Sequence, residues 1–555
     1  APRPSTLVPD VDPELERVIM RAMAADPRDR PASADEMAAA LPGGLIPAVR
    51  TPRWWFAGAA AVGLAAILAL VASLYSTRDA RALTGQDTIV LSDFANATGE
   101  PVFDGALKVA LAVALEQSPF LKIFPDNRTR ETLQLMDRSP DEAITRSVAR
   151  EIARREQLKA LIAGSIAGLG KHYVLTLEAV NAETGDVMAR EQAEATSRED
   201  VLRALGGAAS RLRETLGESL GSIQQFDVPL ARATTSSLEA LQAYSLALDE
   251  GTVNPRMEAL PHLLRAIGLD PDFALAHAMI ATVYANTGRT SLAPEFALKA
   301  FEGRERVSER ERFFITFRYY RDATQNWAEA LALTRAWTTT YPRESFAYNS
   351  LGAALSRFGQ YDQAIQPLTE SIRLDPRFAA AYSNLGLVNL ALGRVEDAKQ
   401  VLQQAEDRKV TSSPLRRIAY LLAFQSGDTA AMARLLDASV GVGQTNAAYG
   451  WQAHSSAFTG RVREAHEQFR LGVEMATQGG FAEVAANLAV EDAEVHALVG
   501  QCAVARAEVS EGLAPIRDNF SLERASRVLA LCGRDAEATS LLDELRERFP
   551  DADRL

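Results

Sequence analysis

The sequence predicts a multidomain, mostly α-helical protein, with a helical solenoid at its C-terminal end, a small α/β domain before it and one transmembrane helix nearer the N-terminus. Three observations predict this. A 34-residue period runs through the C-terminal half, strand-like and helical runs alternate before it, and a 22-residue stretch carries no charged side chain. A chain of 555 residues is long enough for several domains of about 100–200 residues each.

The composition is that of a folded, acidic protein. Apolar residues make up 47% and charged residues 24%, which argues against global disorder. The 59 basic and 72 acidic side chains give a net charge of −13, so no nucleic-acid partner is expected, because phosphate binding needs a concentrated basic face. With two cysteines, six histidines and no HExxH motif, the sequence predicts no catalytic, cofactor-binding or metal-binding residues.

The first region, residues 1–41, is predicted to form two short helices separated by a turn at Asp26 and Pro27, because proline disfavours helical geometry at the residue before it. The turn resembles the end of the C-terminal lobe of serine/threonine protein kinases. The matching residues are Asp26, Pro27, Arg30 and Pro31. The resemblance implies a structural role for Arg30, which pairs in that family with a buried glutamate that would lie upstream of this chain. A generic helical hairpin is the alternative.

The ATP-binding and catalytic motifs of protein kinases do not occur in this sequence. It has no VAIK lysine, no HRD catalytic loop and no DFG, which are the groups that hold the metal ions and the γ-phosphate. This chain is therefore not predicted to be a kinase by itself. It is expected to bind no cofactor, and ATP and Mg²⁺ are implied only if a kinase domain precedes it.

A juxtamembrane linker (42–53), a transmembrane helix (54–75) and a second linker (76–87) are predicted next. The middle segment has aromatic residues at both ends, and as a helix it would span about 33 Å, enough to cross the lipid bilayer. A buried core helix is the alternative. Small residues such as Ala59 and Gly63 would allow two such helices to pair closely in a homodimer, and a chance spacing in an Ala-rich run is the alternative. The predicted location is the cytoplasmic membrane, crossed once, with the N-terminal side in the cytoplasm and the later domains outside it.

Residues 88–222 are predicted to form a small α/β domain. Apolar, β-branched runs at 88–94 and 120–124 alternate with helical patterns, and three strand-like runs follow between 158 and 195. A long amphipathic helix, 198–220, closes the unit. The order of elements, with the phrases LSDFANATG and GDVMAREQ, resembles the N-terminal α/β domain of TolB-like proteins, which is often joined to bacterial kinases and helical repeats.

Residues 240–555 show self-similarity at a period of 34. The recurring positions are Leu351-Gly352 with Leu385-Gly386, Gly359 with Gly393, Ala364 with Ala398, and Leu368 with Leu402. This pattern resembles the tetratricopeptide repeat (TPR), a helix pair that stacks on its neighbours to form a curved solenoid with a concave groove. About nine units are predicted. They start near residues 240, 274, 311, 345, 379, 413, 446, 486 and 519.

The resemblance implies that first helices line the groove and that the groove binds peptides or protein segments. The repeat register places Asn349, Ser356, Arg357, Asn384 and Leu387 toward it. Asparagines at the position of Asn384 can hold a peptide backbone or terminus in that family. No companion lysine is evident beside it, and a solvated or packing role is the alternative for each residue.

Cys502 and Cys532 are predicted to be spatial neighbours. They fall at the start of a second helix and at the end of the next first helix, and those helices run antiparallel. A disulfide bond is one interpretation if this half lies outside the cytoplasm, and two buried thiols are the other.

The leading functional hypothesis is a C-terminal fragment of a single-pass receptor-type serine/threonine kinase, whose repeats bind protein or peptide partners. The competing hypothesis is a membrane-anchored TPR scaffold with no working kinase. A third is a TolB-like component of the cell envelope.

Overall fold

The computed structural model describes residues 2–42, 83–85, 87–249, 257–440 and 445–553. The chain divides into two compact units, residues 1–80 and 81–555, which are described separately.

The described part of the first unit consists of two short helices, α1 (Pro13–Ala22) and α2 (Ala34–Ala39). The Asp12 carboxylate caps α1 by accepting hydrogen bonds from the first backbone N–H groups of that helix. Ser33 caps α2 by accepting from the Glu36 N–H. The predicted helix, turn and helix are therefore present, with Pro27–Asp29 forming a short 3-10 turn between them.

The second unit begins with a six-stranded sheet. Its strands are β1 (Thr88–Leu91), β2 (Ala95–Asn96), β3 (Lys122–Ile123), β4 (Ala160–Leu169), β5 (His172–Asn181) and β6 (Val187–Ala195). The strand order is β3-β1-β4-β5-β6, and β2 pairs with β4. Strands β3, β1 and β4 run parallel, with Ile89 opposite Ala160, whereas β4, β5 and β6 form an antiparallel meander. The small sheet of the predicted fold class is confirmed.

Helices cover both faces of this sheet because its strands alternate apolar side chains between the two faces. Ile89 and Leu91 belong to one buried cluster with α3 (Ala106–Glu116) and the later long helix, whereas Val90 belongs to a second cluster on the opposite face. The remaining helices of this region are α4 (Asp126–Leu135), α5 (Arg146–Arg155), α6 (Val201–Thr215), α7 (Leu220–Phe226) and α8 (Leu230–Ala233). Helix α6 packs with α3, and α7 and α8 lead the chain into the helical array.

Nine helix pairs follow within the described residues. The first helices are α9 (Leu238–Asp249), α11 (Ala274–Asn286), α13 (Glu309–Arg318), α15 (Ser345–Arg357), α17 (Ala379–Ala391), α19 (Ser413–Ser426), α21 (Thr445–Phe458), α23 (Ala482–Leu498) and α25 (Asn519–Leu531). The second helices are α10 (Leu260–Leu269), α12 (Ala293–Glu302), α14 (Trp327–Thr340), α16 (Tyr361–Leu374), α18 (Val395–Asp407), α20 (Thr429–Val440), α22 (Val462–Gln478), α24 (Cys502–Gly512) and α26 (Asp535–Arg548).

Small residues recur in the central repeats because the turns and helix crossings demand them. Gly359 and Gly393 end first helices with φ values of +69° and +70°, which side chains rarely tolerate. A Cβ atom on Gly352 would lie 2.5 Å from Leu368 Cγ, so the two helices of that pair approach closely only with glycine there. Ala364, on the second helix, is fully buried.

The array curves far enough for distant repeats to touch. The backbone N–H groups of Trp327 and Ala328, in the third pair, donate to the Asp553 carboxylate near the C-terminus at 2.9 and 2.5 Å. Ser291, between the helices of the second pair, donates its backbone N–H to Glu483 at the start of the eighth pair. The concave side of the array is therefore partly enclosed by the array itself.

The sheet domain packs against the early repeats through charged and polar contacts. Arg310 of α13 lies 3.0 Å from Glu116 of α3, and Tyr341 donates its hydroxyl to the Gln117 carbonyl at 2.8 Å. Arg343 donates to the Asp87 carbonyl at the start of β1. These contacts hold the amino end of β1 and the C-terminal end of α3 against the early repeats.

The predicted membrane localisation is corrected by the structure. None of the helices that the structure describes is long and apolar enough to cross a bilayer. The longest have 17 residues and carry charged side chains, whereas a span needs about 20 mainly apolar residues. The segment 54–75, which carried the predicted span, the bilayer contact and the homodimer through Ala59 and Gly63, lies outside the described residues. The prediction of a single-pass protein of the cytoplasmic membrane is not kept.

Candidate functional site

A cavity of about 340 Å³ lies on the concave side of the second to fifth helix pairs. First helices provide most of its lining, because they face the inside of the curve. The lining residues are Met279, Thr282, Asn286, Phe314, Phe317, Arg318, Arg321, Trp327, Phe346, Asn349, Ser350, Ala353, Phe378, Ala380 and Asn384. The lining therefore combines aromatic rings with two arginines and three asparagines. This cavity is called the groove cavity below.

A buried arginine is the central polar feature of the groove cavity. Arg318 ends α13, and its side chain is 1% exposed. The next residues, Tyr319–Thr324, form a π-helical turn, a rare element that often occurs at functional sites. This turn brings Asp322 back to within 2.6 Å of Arg318 and also pairs that carboxylate with Arg321 at 2.8 Å. One carboxylate thus faces two guanidinium groups.

The Arg318 guanidinium is incompletely satisfied. Its Nε and Nη2 atoms have no aligned hydrogen-bond acceptor among the described residues, although Nη2 is close enough to Asp322 for an ion pair. Burial, followed by the neighbouring Arg321 charge, lowers the pKa of Arg318. Both observations mean that burying the charged guanidinium of Arg318 costs free energy. A negatively charged ligand group would offset that cost.

The two asparagines that the repeat register predicted lie together in the groove cavity. Asn384 donates from Nδ2 to Asn349 Oδ1 at 2.8 Å, linking the first helices of the fourth and fifth pairs. Asn349 is largely buried, and Asn384 is half-buried. An asparagine pair of this kind offers both an N–H donor and a carbonyl acceptor to a peptide backbone.

The other three predicted groove residues are placed elsewhere. Arg357 stacks over the rings of Trp327, at 5.0 Å, and Phe520, at 5.9 Å, in a neighbouring cavity of about 410 Å³. Ser356 donates its hydroxyl to the Gly352 carbonyl within its own helix. Leu387 is exposed and lies in the lining of neither cavity.

The remaining predicted site residues are Arg30 and the two cysteines. Arg30 is exposed and donates from Nε to the Ala24 carbonyl at 2.8 Å, a contact within its own turn. Cys502 begins α24 and Cys532 directly follows α25; their Cα atoms are 5.4 Å apart, and the sulfurs are joined. This separation is within the range that a disulfide bond requires. The disulfide interpretation stays a prediction.

Sequence reasoning missed Arg318, Arg321 and Asp322. They occur just after the point where the 34-residue period slips, and inserted residues shift the repeat register there. The charged run RYYRD at the end of a first helix was the available signal. Its importance depends on the π-helical turn, which folds the run back on itself.

A larger cavity of about 760 Å³ separates the concave side of the array from the carboxyl edge of β1. It shares Met279, Phe314 and Phe346 with the groove cavity, so the two cavities are neighbours. Glu311 lies on its wall. Burial raises the pKa of Glu311 to about 7, although hydrogen bonds from Ser308 partly oppose that effect.

Replacing Glu311 with glutamine is expected to stabilise the protein above pH 7. Between the ordinary pKa near 4.5 and the folded-state pKa of about 7, the folded protein holds a proton that the unfolded chain has lost. Stability therefore falls as pH rises through that window, by about 3 kcal/mol in total. Glu311→Gln removes this ionisation and keeps a side chain suited to the helix cap.

Chemical unfolding at pH 5, 6, 7 and 8 checks this expectation. The wild-type protein should lose stability across the series, and Glu311→Gln should show a flatter profile. Glu305→Gln, which changes an exposed carboxylate close by, serves as the control. Parallel profiles for Glu311→Gln and the wild-type protein would contradict the assignment of the shifted group.

Comparison with known proteins identifies the repeats. A TPR repeat profile matches residues 352–393, and a tetratricopeptide repeat profile matches residues 379–409. The predicted tetratricopeptide repeats are therefore confirmed, and the asparagine pair falls on the matched stretch or directly before it. The predicted kinase parent and TolB-like domain find no support in these matches.

Two curated relatives match a short part of the chain. The small glutamine-rich tetratricopeptide repeat-containing protein 2 of Mycosarcoma maydis is 29% identical over 76 residues, which is 14% of this chain and 22% of that protein. The TPR repeat-containing thioredoxin TTL4 of Arabidopsis thaliana is 34% identical over 77 residues, 14% of this chain and 11% of that protein. The chain thus spans less than a quarter of the length of either relative.

Among solved structures, the APC/C hetero-tetramer Cut9-Hcn1 is similar over 63% of this chain and 64% of that chain. The sequence identity is 17% and the TM-score is 0.39. The repeat profiles, together with the helices and the sheet described above, define a mostly helical, TPR-containing protein with a small sheet.

Proposed function

We propose that this chain binds an extended segment of a partner protein in the groove cavity and that a carboxylate of that segment pairs with Arg318. The buried, incompletely satisfied guanidinium is the observation that carries this proposal. TPR repeats are associated with protein and peptide binding, and the cavity lies on the side of the array that such ligands use. The proposed role is that of a scaffold that assembles partner proteins.

The charges around the groove cavity favour an acidic ligand group. Arg318 and Arg321 share one counter-charge, Asp322, so the cluster keeps one unit of positive charge in a protein of net charge −13. A carboxylate can accept two N–H groups from an arginine, which gives both affinity and orientation. The ligand would thereby supply the acceptor that the Arg318 guanidinium lacks.

The remaining lining would hold the peptide backbone and its apolar side chains. Asn349 and Asn384 supply amide groups beside the cluster, and Phe346 and Phe378 supply apolar walls. The neighbouring larger cavity, which shares three wall residues with the groove cavity, is the place proposed for residues beyond the carboxylate. Arg357, stacked in the neighbouring cavity, marks a place to which a longer segment would extend.

A peptide selection tests the proposal. The purified chain is used to select from a library of random octapeptides with free C-termini, and the binding of each selected peptide is measured by fluorescence anisotropy. Arg318→Gln is expected to weaken binding about tenfold or more, because it removes charge-assisted hydrogen bonds. Asn349→Ala and Asn384→Ala are each expected to weaken it about three- to tenfold. Arg335→Gln, on a second helix, is the matched control.

The same peptides distinguish the source of the carboxylate. Amidation of the C-terminus should abolish tight binding if the terminus occupies the cluster, and Asp→Asn or Glu→Gln changes should do so if a side chain does. Circular dichroism confirms that each variant is folded. Selected peptides that bind Arg318→Gln and the wild-type protein equally would refute the proposal.

A second proposal concerns the parent protein. The helix, turn and helix of residues 1–41 support the suggestion that this chain is the C-terminal part of a serine/threonine protein kinase. That suggestion rests on the resemblance of this turn alone. Sequencing of the gene upstream of Ala1 tests it, because a kinase parent requires HRD and DFG segments there, and their absence would refute it.

A further inference from the structure

Four side chains with metal-binding donor atoms meet between the seventh and eighth helix pairs. His466 comes from α22, Asp492 and His496 from α23, and Glu508 from α24. Asp492 and His496 are four residues apart and therefore share one face of their helix. Their donor atoms all lie within 4.8 Å of one another. This set is called the histidine–carboxylate cluster below.

Each carboxylate of the cluster lies close to both imidazoles. The Nδ1 atom of His466 is 2.6 Å from Asp492 and 3.6 Å from Glu508, and the Nδ1 atom of His496 is 3.8 Å from Asp492 and 2.8 Å from Glu508. Ligand atoms around a tetrahedral zinc ion with bonds of about 2.0 Å are separated by about 3.3 Å. The four observed separations, which involve both oxygens of each carboxylate, bracket that value.

The four side chains of the cluster differ in how deeply they are buried. The side chain of Asp492 is 7% exposed, and its Oδ1 atom has no hydrogen-bond partner among the described residues. His496 is equally buried, and Glu508 nearly so, whereas His466 is half-exposed. The cluster is therefore an inward-facing set of donors with one side open to solvent, through which an ion can enter.

We propose that the histidine–carboxylate cluster binds one Zn²⁺ ion through the two Nδ1 atoms and one oxygen of each carboxylate. Two imidazoles and two carboxylates form a tetrahedral set of nitrogen and oxygen donors. Zinc favours such a set, whereas Mg²⁺ and Ca²⁺ prefer ligands that are all oxygen atoms. Four protein ligands complete the coordination, so the ion has a structural role. Each histidine binds as neutral imidazole, with its remaining proton on Nε2.

The bound ion would join three consecutive helices. It links the second helix of the seventh pair to both helices of the eighth. Stacked repeats depend on contacts with their neighbours, so a cross-link between pairs stabilises the end of the array most. Zinc binding therefore stiffens the C-terminal repeats.

A matched histidine lies on the preceding helix. His454 of α21 also pairs with one carboxylate, at 3.0 Å from Glu491, and that carboxylate is shared with Arg524. It therefore belongs to an ordinary ion-pair network with a cation already in place. His454→Ala is the control for the loss of one histidine and one ion pair in this region.

Metal titration of the full chain without a histidine tag tests the proposal. The chain is stripped with a chelator, kept free of reductant so that the cysteines stay paired, and titrated with Zn²⁺ by calorimetry and with Co²⁺ by visible absorption. One equivalent should bind, with the intense absorption of tetrahedral Co²⁺. His496→Ala and Asp492→Asn should weaken binding at least 100-fold, whereas His454→Ala should leave it unchanged. Mg²⁺ and Ca²⁺ should not compete.

Thermal melting provides a second readout. Zn²⁺ should raise the Tm of the wild-type protein and of His454→Ala but not that of His496→Ala. Glu508→Gln, which keeps the size of the side chain, replaces any variant that fails to fold. The absence of saturable binding of one equivalent, or equal binding by His454→Ala and His496→Ala, would overturn the proposal and leave two ion pairs between histidine and carboxylate.

Discussion

Replacing Glu218 with alanine is expected to lower the free energy of unfolding by about 3 kcal/mol. The side chains of Arg213 and Glu218 are 0% and 1% exposed, and two hydrogen bonds of 2.7 and 3.0 Å join them. Removal of the carboxylate leaves a buried guanidinium whose remaining counter-charge among the described residues is Asp227. This loss of stability lies at the low end of the range for broken buried ion pairs, because the contact between Arg213 and Asp227 remains.

This pair matters because it lies where the sheet domain joins the array. Arg213 is on α6, and Glu218 is in the connection between α6 and α7, which leads to the first repeat. Arg213 also donates to the Ala114 carbonyl of α3. Loss of the pair should therefore loosen α3, α6 and the connection together, which amide hydrogen exchange can resolve.

The double variant Arg213→Met with Glu218→Leu is the control. Apolar residues of similar size remove both charges, so most of the lost stability should return. Arg203→Met, at an exposed arginine on the same helix, should have little effect. A loss below about 1 kcal/mol for Glu218→Ala would show that water reaches the guanidinium, in conflict with the burial of this pair.

Reduction of the Cys502–Cys532 bond is expected to lower the stability of the C-terminal repeats by about 3–4 kcal/mol. The bond closes a loop with a sequence separation of 30 residues, and its loss gives the unfolded chain more conformations. It joins the start of α24 to the end of α25, so the effect should concentrate in the last two helix pairs. Hydrogen exchange there, with and without reductant, measures it.

Two further measurements make this prediction specific. Mass spectrometry should show a gain of two hydrogens on reduction, and the double variant Cys502→Ser with Cys532→Ser should not respond to reductant. Faster exchange spread evenly over all repeats would argue against a local role. A protein that carries two free thiols under oxidising conditions would contradict the bond itself.

The repeats were predictable because their signals are local. Each helix pair carries its own small residues and turn glycines within 34 residues, as at Gly352 and Gly359, and these need no distant partner. Asn349 and Asn384 followed from the same register, and they do meet in the groove cavity. Arg357 followed from it too, yet it stacks outside that cavity because the C-terminal repeats curve back and bring Phe520 against it.

The membrane prediction was wrong. It rested on the apolar composition of residues 54–75 alone, and that segment lies outside the described residues. None of the helices that the structure describes meets the requirement for a span. Local composition therefore identified the repeats, whose partners are adjacent in sequence, more reliably than it identified the location of the protein.

The sequence by itself determined the helical repeats, their approximate register and the neighbourhood of the two cysteines, because these depend on spacing within one or two helix pairs. Only the tertiary structure decided which polar side chains are buried and which of them come together. Arg318 became a buried, incompletely satisfied cation through a π-helical turn, and His466 met Glu508 through the stacking of three helices. Such contacts depend on the curvature of the array and the depth of burial, and neither is encoded at any single position of the chain.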